Sequence, residues 1–287
     1  MAKANLFDGL DEDEDVPVVR APFGYCGSKS QGLKHILPML PYRRSYVEVF
    51  GGSGVVLLNR RPSTIDVYND RFGGVVTFYR CLRNEAKYLK MMEWLEATVN
   101  SKEEYIWCRD TWENCTDDVE RACRWFYSMH YSFGNKGTAW GRKVTSTPLA
   151  VVKNRFPSFS TAHRRLAGVQ IENASWEKIL NDYDHPEAVF YLDPPYIATD
   201  GREYTYGMNH DDHRRMLNTI FRMKGFVALS GFANTLYDNF SWDDRISWKQ
   251  TCSMAGNANN EGNNKAHLKG LESYHSAEEV LWIKEAE

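Results

Sequence analysis

Tyr46-Val47-Glu48-Val49-Phe50-Gly51-Gly52-Ser53-Gly54-Val55 is the stretch on which the fold turns. Tyr46 to Phe50 reads as a strand that ends abruptly in four small residues, Gly51 to Gly54. Val55 to Arg60 then suits a helix opening directly on the glycines. Thr64 to Tyr68 reads as a second strand, closed by Asn69-Asp70, and a further helix is expected over about Gly74 to Arg83. Strand, Gly turn, helix, strand, acid is the opening order of a Rossmann-like βαβ unit. Glycines after a strand let the backbone approach a ligand closely, at the N-terminus of the next helix. The GK[ST] ending of a phosphate-binding P-loop is missing, which disfavours nucleotide hydrolysis. Asp70, at the end of the second strand, can accept hydrogen bonds from both hydroxyls of a ribose. Together the turn and the acid point to a nucleoside-containing cofactor.

Outward from this unit, the α/β pattern pauses and resumes. Residues 85–120 are charged and Trp-rich with helical periodicity, and 128–160 read as loops or a hairpin. Strands are expected again from Gly168 to Ile171, over Ala188 to Leu192, over Phe226 to Ser230 and over Glu279 to Ile283, with a helix from Asp211 to Met223. The run Ala188 to Leu192 is almost wholly apolar, as in a strand buried on both faces. Residues 253–270, rich in Asn and Gly, read as a mobile loop. This division gives an acidic disordered tail at 1–17, a catalytic unit from 18–84 and 169–287, and an inserted lobe at 85–168.

The chain has 287 residues, 43% hydrophobic and 25% charged, enough for a sizeable core. No apolar run approaches the roughly 18–20 residues of a membrane span, and the acidic start resembles neither a signal nor a transit peptide. A cytoplasmic protein of a bacterial or phage-infected cell is expected. The six cysteines form no C-x-x-C pair and read as reduced, mostly buried thiols. The formal net charge of −3 conceals segregation. Residues 1–15 hold Asp8, Asp11, Glu12, Asp13, Glu14 and Asp15 against Lys3, a net of −5, which leaves +2 for the remainder. Between Glu120 and Glu172 there is no acid, but there are nine basic residues: Arg121, Arg124, Lys136, Arg142, Lys143, Lys153, Arg155, Arg164 and Arg165. Trp125, Phe126, Tyr127, Tyr131, Phe133, Trp140, Phe156 and Phe159 are interleaved with them. Basic groups mixed with aromatics suit a polyanion whose bases can stack.

Asp193-Pro194-Pro195-Tyr196 follows the apolar strand directly. Two prolines remove two donors and fix the chain, leaving the Asp193 carboxylate and the Pro194 carbonyl as rigid acceptors beside an aromatic ring. Acceptors suit an amino group that must donate two hydrogen bonds. The amine of adenine is planar and a poor nucleophile, and gripping both hydrogens favours a localised lone pair on nitrogen. The Tyr196 ring can stack on the base, an interaction of roughly 1–3 kcal/mol. Asp211, Asp212 and His213 read as a helix start rather than a metal cluster, and His130 and His163 as phosphate contacts or packing.

With these motifs in this order, the chain resembles the Dam-type (D12 class, alpha group) DNA adenine-N6 methyltransferases over about Pro22 to Ile283. The resemblance implies an α/β, Rossmann-like S-adenosylmethionine-dependent methyltransferase fold with an inserted, mainly helical DNA-recognition lobe. It implies that Tyr25 and Lys29, in Phe23-Gly24-Tyr25-Cys26-Gly27-Ser28-Lys29, contact S-adenosylmethionine, Lys29 near its methionyl carboxylate. Phe50, Gly51, Gly52, Ser53 and Gly54 match the turn around the methionine moiety, and Asp70 the ribose acid. Ser175 and Trp176 stand where the family often has an Asp-Phe pair near the cofactor adenine. Asp193, Pro194, Pro195 and Tyr196 are the catalytic motif, with Asp193 also beside the cofactor. Leu229-Ser230-Gly231-Phe232 resembles the strand and turn lining the target-base pocket. In the lobe, Tyr131-Ser132-Phe133-Gly134-Asn135-Lys136-Gly137 departs from the family's aromatic-Asn-Gly pattern by exchanging Gly and Asn. Phe133 could wedge into the base stack, and Asn135 or Lys136 could reach a base edge. Arg124, Arg142, Lys143 and Arg155 are further basic candidates for DNA contact.

The expected reaction is direct methyl transfer to an adenine flipped out of double-stranded DNA. It needs neither metal nor membrane, and the enzyme is expected as a monomer or weak dimer. An Asp-Pro-Pro-Tyr grip suits any planar amine, so RNA adenine or a protein amide stays open as acceptor, as does a non-catalytic DNA-binding module.

Overall fold

The computed structural model describes residues 18–25, 27–135, 137–141, 154–196, 207–250 and 277–287. The acidic tail, Cys26, Lys136, Arg142, Lys143, Lys153, Cys252 and the 253–270 segment lie outside the described residues.

In chain order the elements are α1 (Leu33–Ile36), β1 (Ser45–Glu48), α2 (Val55–Asn59), β2 (Ile65–Asn69), α3 (Gly73–Arg83), α4 (Glu85–Ala97), α5 (Lys102–Thr111), α6 (Asp118–His130) and α7 (Phe156–Leu166). There follow β3 (Val169–Glu172), α8 (Trp176–Tyr183), β4 (Ala188–Leu192), α9 (His210–Ile220), β5 (Phe226–Phe232), α10 (Thr235–Asp238), β6 (Asp244–Gln250) and β7 (Ala277–Lys284). The strands form one sheet in the order β3-β2-β1-β4-β5-β7-β6. The first five run parallel, and β7 is antiparallel to both β5 and β6. Chain direction across the sheet reverses between β1 and β4. In such a sheet the crevice outside the carboxyl ends at this switch point is the place for a ligand.

β1 and β4 are buried along their whole length, and β4 accordingly reads as an almost wholly apolar run. Their side chains alternate between two cores. Tyr46, Tyr68, Val189 and Tyr191 join one with α2, α3, α6 and α7. Val47, Val67, Phe190 and Leu192 join the other with α8 and α9. Several elements escape the sequence reading, among them α7, which begins inside the segment read as loops or a hairpin, α8 and β6. α8, capped by Ser175, buries Trp176, Ile179 and Leu180 at helical spacing. β6 is an edge strand whose Arg245 and Lys249 mask its alternation.

Four helices, α4 to α7, fill most of the chain between α3 and β3. They share the first core with the sheet: Tyr105, Cys108, Cys123, Trp125, Phe126 and Phe159 all belong to it. This corrects the reading of the interleaved aromatics as a stacking surface. Trp125, Phe126, Tyr127, Tyr131 and Phe159 are at most 2% exposed. The physical reason is helical spacing: Ala122, Phe126 and His130 on α6, and Phe159, Ala162 and Leu166 on α7, are inward stripes. Arg165 is likewise internal, pairing with buried Asp66 of β2 at 2.7 Å. His163 packs too, stacked on Tyr88 and bonded to the Leu82 carbonyl. Past α6 the chain makes a tight hairpin-like tip, with Phe133 N–H on the Ala139 carbonyl and Gly141 N–H on the Tyr131 carbonyl.

Candidate active site

The Gly turn sits where β1 ends at the switch point, and its backbone is pinned from several sides. Gly51 N–H donates to the Asn69 carbonyl of β2, and Gly54 N–H to the Gly51 carbonyl, both at 2.7 Å. A Cβ at Gly51 would lie 2.2 Å from the Tyr68 ring, so only glycine fits there. Gly54 takes φ +63° as the N-cap of α2, a left-handed conformation that favours glycine. The Tyr68 hydroxyl donates to the Gly52 carbonyl and the Tyr79 hydroxyl to the Ser53 carbonyl. Ser53 Oγ lies 3.0 Å from Ser28 Oγ, and the Tyr25 ring lies against Gly52. Phe50 is half-buried against the second core.

Two carboxylates serve this turn. Glu48, at the end of β1, accepts Leu57 N–H at 2.7 Å and the Tyr46 hydroxyl at 2.9 Å. Burial pushes its carboxyl up to about 8 against the opposing pull of those bonds. Asp70, just past β2, accepts Gly52 N–H and Phe72 N–H, each at 2.7 Å. Burial raises its carboxyl above the ordinary range, and the two donors oppose this. Asn69 joins the end of β2 to its neighbours, donating to the Val49 and Ala174 carbonyls and accepting Ala174 N–H. Asn173 donates to the Asp70 carbonyl at 2.8 Å. The 173–176 segment is thereby stapled beside Asp70.

The second centre lies at the end of β4. Asp193 Oδ1 accepts the Ser230 hydroxyl of β5 at 3.0 Å, and Ser230 lies 3.0 Å from the Tyr191 hydroxyl. Asp193 Oδ2 accepts Lys29 Nζ at 2.7 Å. Lys29 also lies 3.4 Å from Glu279 of β7 and 4.9 Å from the centre of the Tyr196 ring. Burial alone would lower the Lys29 ammonium, but the charges of Asp193 and Glu279 outweigh it and hold its pKa above the ordinary value. The Tyr196 hydroxyl donates to Glu279, and its ring meets Phe232 edge-on with centroids 4.4 Å apart. Pro194 is buried, and neither it nor Pro195 has an N–H to offer. Under the loop, buried His213 of α9 meets the Tyr237 hydroxyl at 2.7 Å, and burial lowers its pKa to about 4.

The residues expected from sequence are thus brought together in two adjoining sets, the Gly turn with Tyr25 and Asp70, and Asp193 to Tyr196 with Ser230 and Phe232. Lys29 joins the second set through Asp193. Ser175 is exposed and N-caps α8, accepting Lys178 N–H, while Trp176 packs into the second core. In the lobe, Phe133 is 72% exposed on consecutive left-handed residues, Gly134 and Asn135. The Asn135 amide is turned onto Gly24, where a Cβ would lie 2.5 Å from its nitrogen. Arg155 is half-buried near Arg20, and burial and that like charge lower its pKa. Arg124 is committed within the lobe, to Glu120 at 2.5 Å, to Thr111 at 2.9 Å and over the Trp107 ring at 3.8 Å. Glu279 and Asn69 were not legible as site residues. Asn69 carries one local signal, a polar residue at the end of a buried strand, whereas nothing local marks Glu279.

Chemically, the arrangement offers a partly covered carboxylate beside a largely buried glycine turn, then a rigid acceptor pair with an aromatic face. Among the described residues no three His, Cys, Asp or Glu side chains gather as metal ligands, and no helix is long and apolar enough to cross a membrane.

Residues 25–244 match the model of the D12 class N6 adenine-specific DNA methyltransferases. The chain is 25% identical over 240 residues to the type II methyltransferase M1.LlaDCHI of Lactococcus lactis subsp. cremoris, covering 76% of this chain and 84% of that protein. It is 27% identical over 195 residues to the modification methylase LlaI of Lactococcus lactis subsp. lactis, covering 63% of this chain but 30% of that longer protein. With a family match that takes in both the Gly turn and the Asp193 centre, the chain belongs to the D12 class N6 adenine-specific DNA methyltransferases.

Proposed function

We propose that the protein is a site-specific enzyme that carries a methyl group from S-adenosylmethionine to N6 of an adenine flipped out of double-stranded DNA. The observation that carries this reading is Asp193, set at the end of β4, its two oxygens oriented by Ser230 and Lys29 and flanked by the Tyr196 ring.

The donor set fits the cofactor. Asp70 is a carboxylate with lone pairs left beyond its two backbone bonds, suited to a ribose diol. Gly51 to Gly54 present backbone rather than side chains at the switch point, and Tyr25 lies against Gly52. Gly51, Gly52, Ser53, Gly54, Phe50, Tyr25 and Asp70 would hold S-adenosylmethionine, with Ser175 and Trp176 near its base. When bound, the cofactor supplies an electrophilic methyl on a sulfonium.

The chain's own residues prepare the acceptor. Asp193 and the Pro194 carbonyl take the two hydrogens of the adenine amine, which localises the nitrogen lone pair. Tyr196 stacks on the base and sets its plane. Ser230 and Lys29 fix the carboxylate so that it need not reorganise during the reaction. On the DNA side, Phe133 is the exposed wedge, and Lys136, Arg142, Lys143 and Arg155 are the basic residues of the sequence offered for phosphate contact. The names of the two relatives support a modification role, the protective half of a restriction–modification pair. A monomer or weak dimer acting on DNA in the cytoplasm suits this role.

The test is incubation of the protein with labelled S-adenosylmethionine and unmodified duplex DNA or matched RNA, followed by nucleoside digestion and mass analysis. N6-methyldeoxyadenosine from DNA is the expected product. Label in RNA or protein alone would replace the acceptor, and no cofactor binding by calorimetry would leave only a DNA-binding module.

A further inference from the structure

Glu279 stands outside every motif in the sequence, yet it is among the most deeply buried charged groups at the centre. β7 runs antiparallel between β5 and β6, and its register sets Glu279 opposite Phe232 on one side and Trp248 on the other. The side chain is 1% exposed. A carboxylate at that depth costs several kcal/mol unless it is paired and hydrogen-bonded. Its partners are the Tyr196 hydroxyl, which donates to Oε1, and the Lys29 ammonium, 3.4 Å from the same oxygen.

Both partners lead to the amine acceptor. Lys29 bonds Asp193 at 2.7 Å and lies over the Tyr196 ring. Phe232, the cross-strand neighbour of Glu279, meets that ring edge-on with centroids 4.4 Å apart. Tyr196 is therefore fixed at its hydroxyl and at its ring from one rung of the β5–β7 ladder. Burial pushes the Glu279 carboxyl above its ordinary value, and the Lys29 charge and the two hydrogen bonds oppose this. A carboxylate is the group that can accept a phenol O–H and an ammonium N–H at one oxygen while presenting no donor of its own.

We propose that Glu279 is a positioning residue for the amine grip: by accepting the Tyr196 hydroxyl and sharing Lys29 with Asp193, it fixes the plane on which the adenine stacks and the orientation of the carboxylate that receives its amine. This rests on the adenine-N6 reading above and extends it to a residue on a strand that carries none of the motifs. Glu279 acts through Tyr196 and Lys29, so its removal slows the step they arrange while the cofactor turn keeps its own anchors at Asp70, Tyr68 and Tyr79.

The experiment compares wild type, Glu279→Gln, Tyr196→Phe and the double variant for methyl transfer to duplex DNA, with cofactor binding by calorimetry and thermal unfolding measured in parallel. Glu279→Gln keeps shape and volume but breaks the charge-sharing with Lys29. The expected result is a fall in kcat of roughly 10- to 100-fold, the scale of a small misplacement at a reacting centre, with cofactor Kd and unfolding midpoint near wild type. The double variant is expected to lose little more than the worse single variant, because both changes cut one connection. Wild-type turnover in Glu279→Gln, or a loss that merely tracks a lower unfolding midpoint, would overturn the proposal. Should Glu279→Gln fail to fold, Tyr196→Phe removes only the hydroxyl that Glu279 accepts, and undiminished kcat there overturns it equally. A wild-type protein that forms no N6-methyladenine would instead overturn the function, and this proposal with it.

Discussion

The carboxyl ends of β1, β2 and β4 and the helices between α3 and β3 use the same residue types in opposite ways. At the strand ends, polar groups converge: Asp70 and Asp193 are only partly covered, and each is oriented by neighbours that are themselves fixed. In the inserted helices, aromatic and basic groups turn inward. Trp125, Phe126 and Phe159 pack with Phe78 beneath the sheet, and Arg165 pairs with Asp66. The tip carrying Phe133 is the exception, since its ring projects from the lobe. Residue type alone therefore does not separate a nucleic-acid surface from a core. What separates them is whether the spacing follows a helix stripe and whether the charged groups already have partners.

The comparison can be broken most severely at Trp125. If it is core, Trp125→Ala costs about 3–5 kcal/mol of folding stability, read as a large fall in the denaturation midpoint. A variant that unfolds like wild type but binds DNA poorly would return Trp125 to the interface. A smaller effect tests the buried support beneath the strand ends. His213 is held neutral by burial, with a pKa near 4 against an ordinary 6.5. The unfolded chain binds this proton first as pH falls, so His213 lowers stability progressively from about pH 6.5 to about pH 4. The loss is about 3 kcal/mol, and chemical denaturation across that range should show it shrinking in His213→Gln. A pH dependence identical in the two proteins would contradict the assignment. The smallest change in stability belongs to Phe133→Ala, within about 0.5 kcal/mol. The same variant should weaken DNA binding by roughly 1–3 kcal/mol, measured by titration of labelled duplex. Unchanged affinity would remove Phe133 from the interface.

The division between what the sequence discloses and what it conceals follows distance along the chain. β1, the Gly turn, α2 and β2 were legible because each is decided by its own few residues, and a glycine against Tyr68 or at positive φ leaves a local mark. Asp193 to Tyr196 was legible for the same reason. α8 leaves a weak mark because its cap, Ser175, and its stripe, Trp176, Ile179 and Leu180, belong to a helix of only eight residues. β6 leaves a weak mark because its polar face is charged and its partner, β7, lies beyond a long intervening segment. Glu279 is 83 residues from Tyr196, and only the β5–β7 register brings them together. Composition does not separate the two readings of the lobe, because aromatics mixed with arginines look the same whether they stack on bases or on one another.

The central claim is that chemistry resides at Asp193 while DNA is held elsewhere. It is tested most directly by Asp193→Ala, assayed side by side with wild type for N6-methyldeoxyadenosine formation and for binding to the same duplex. The account predicts that the variant forms no detectable product yet binds DNA with nearly wild-type affinity. Near-normal turnover in Asp193→Ala would contradict it.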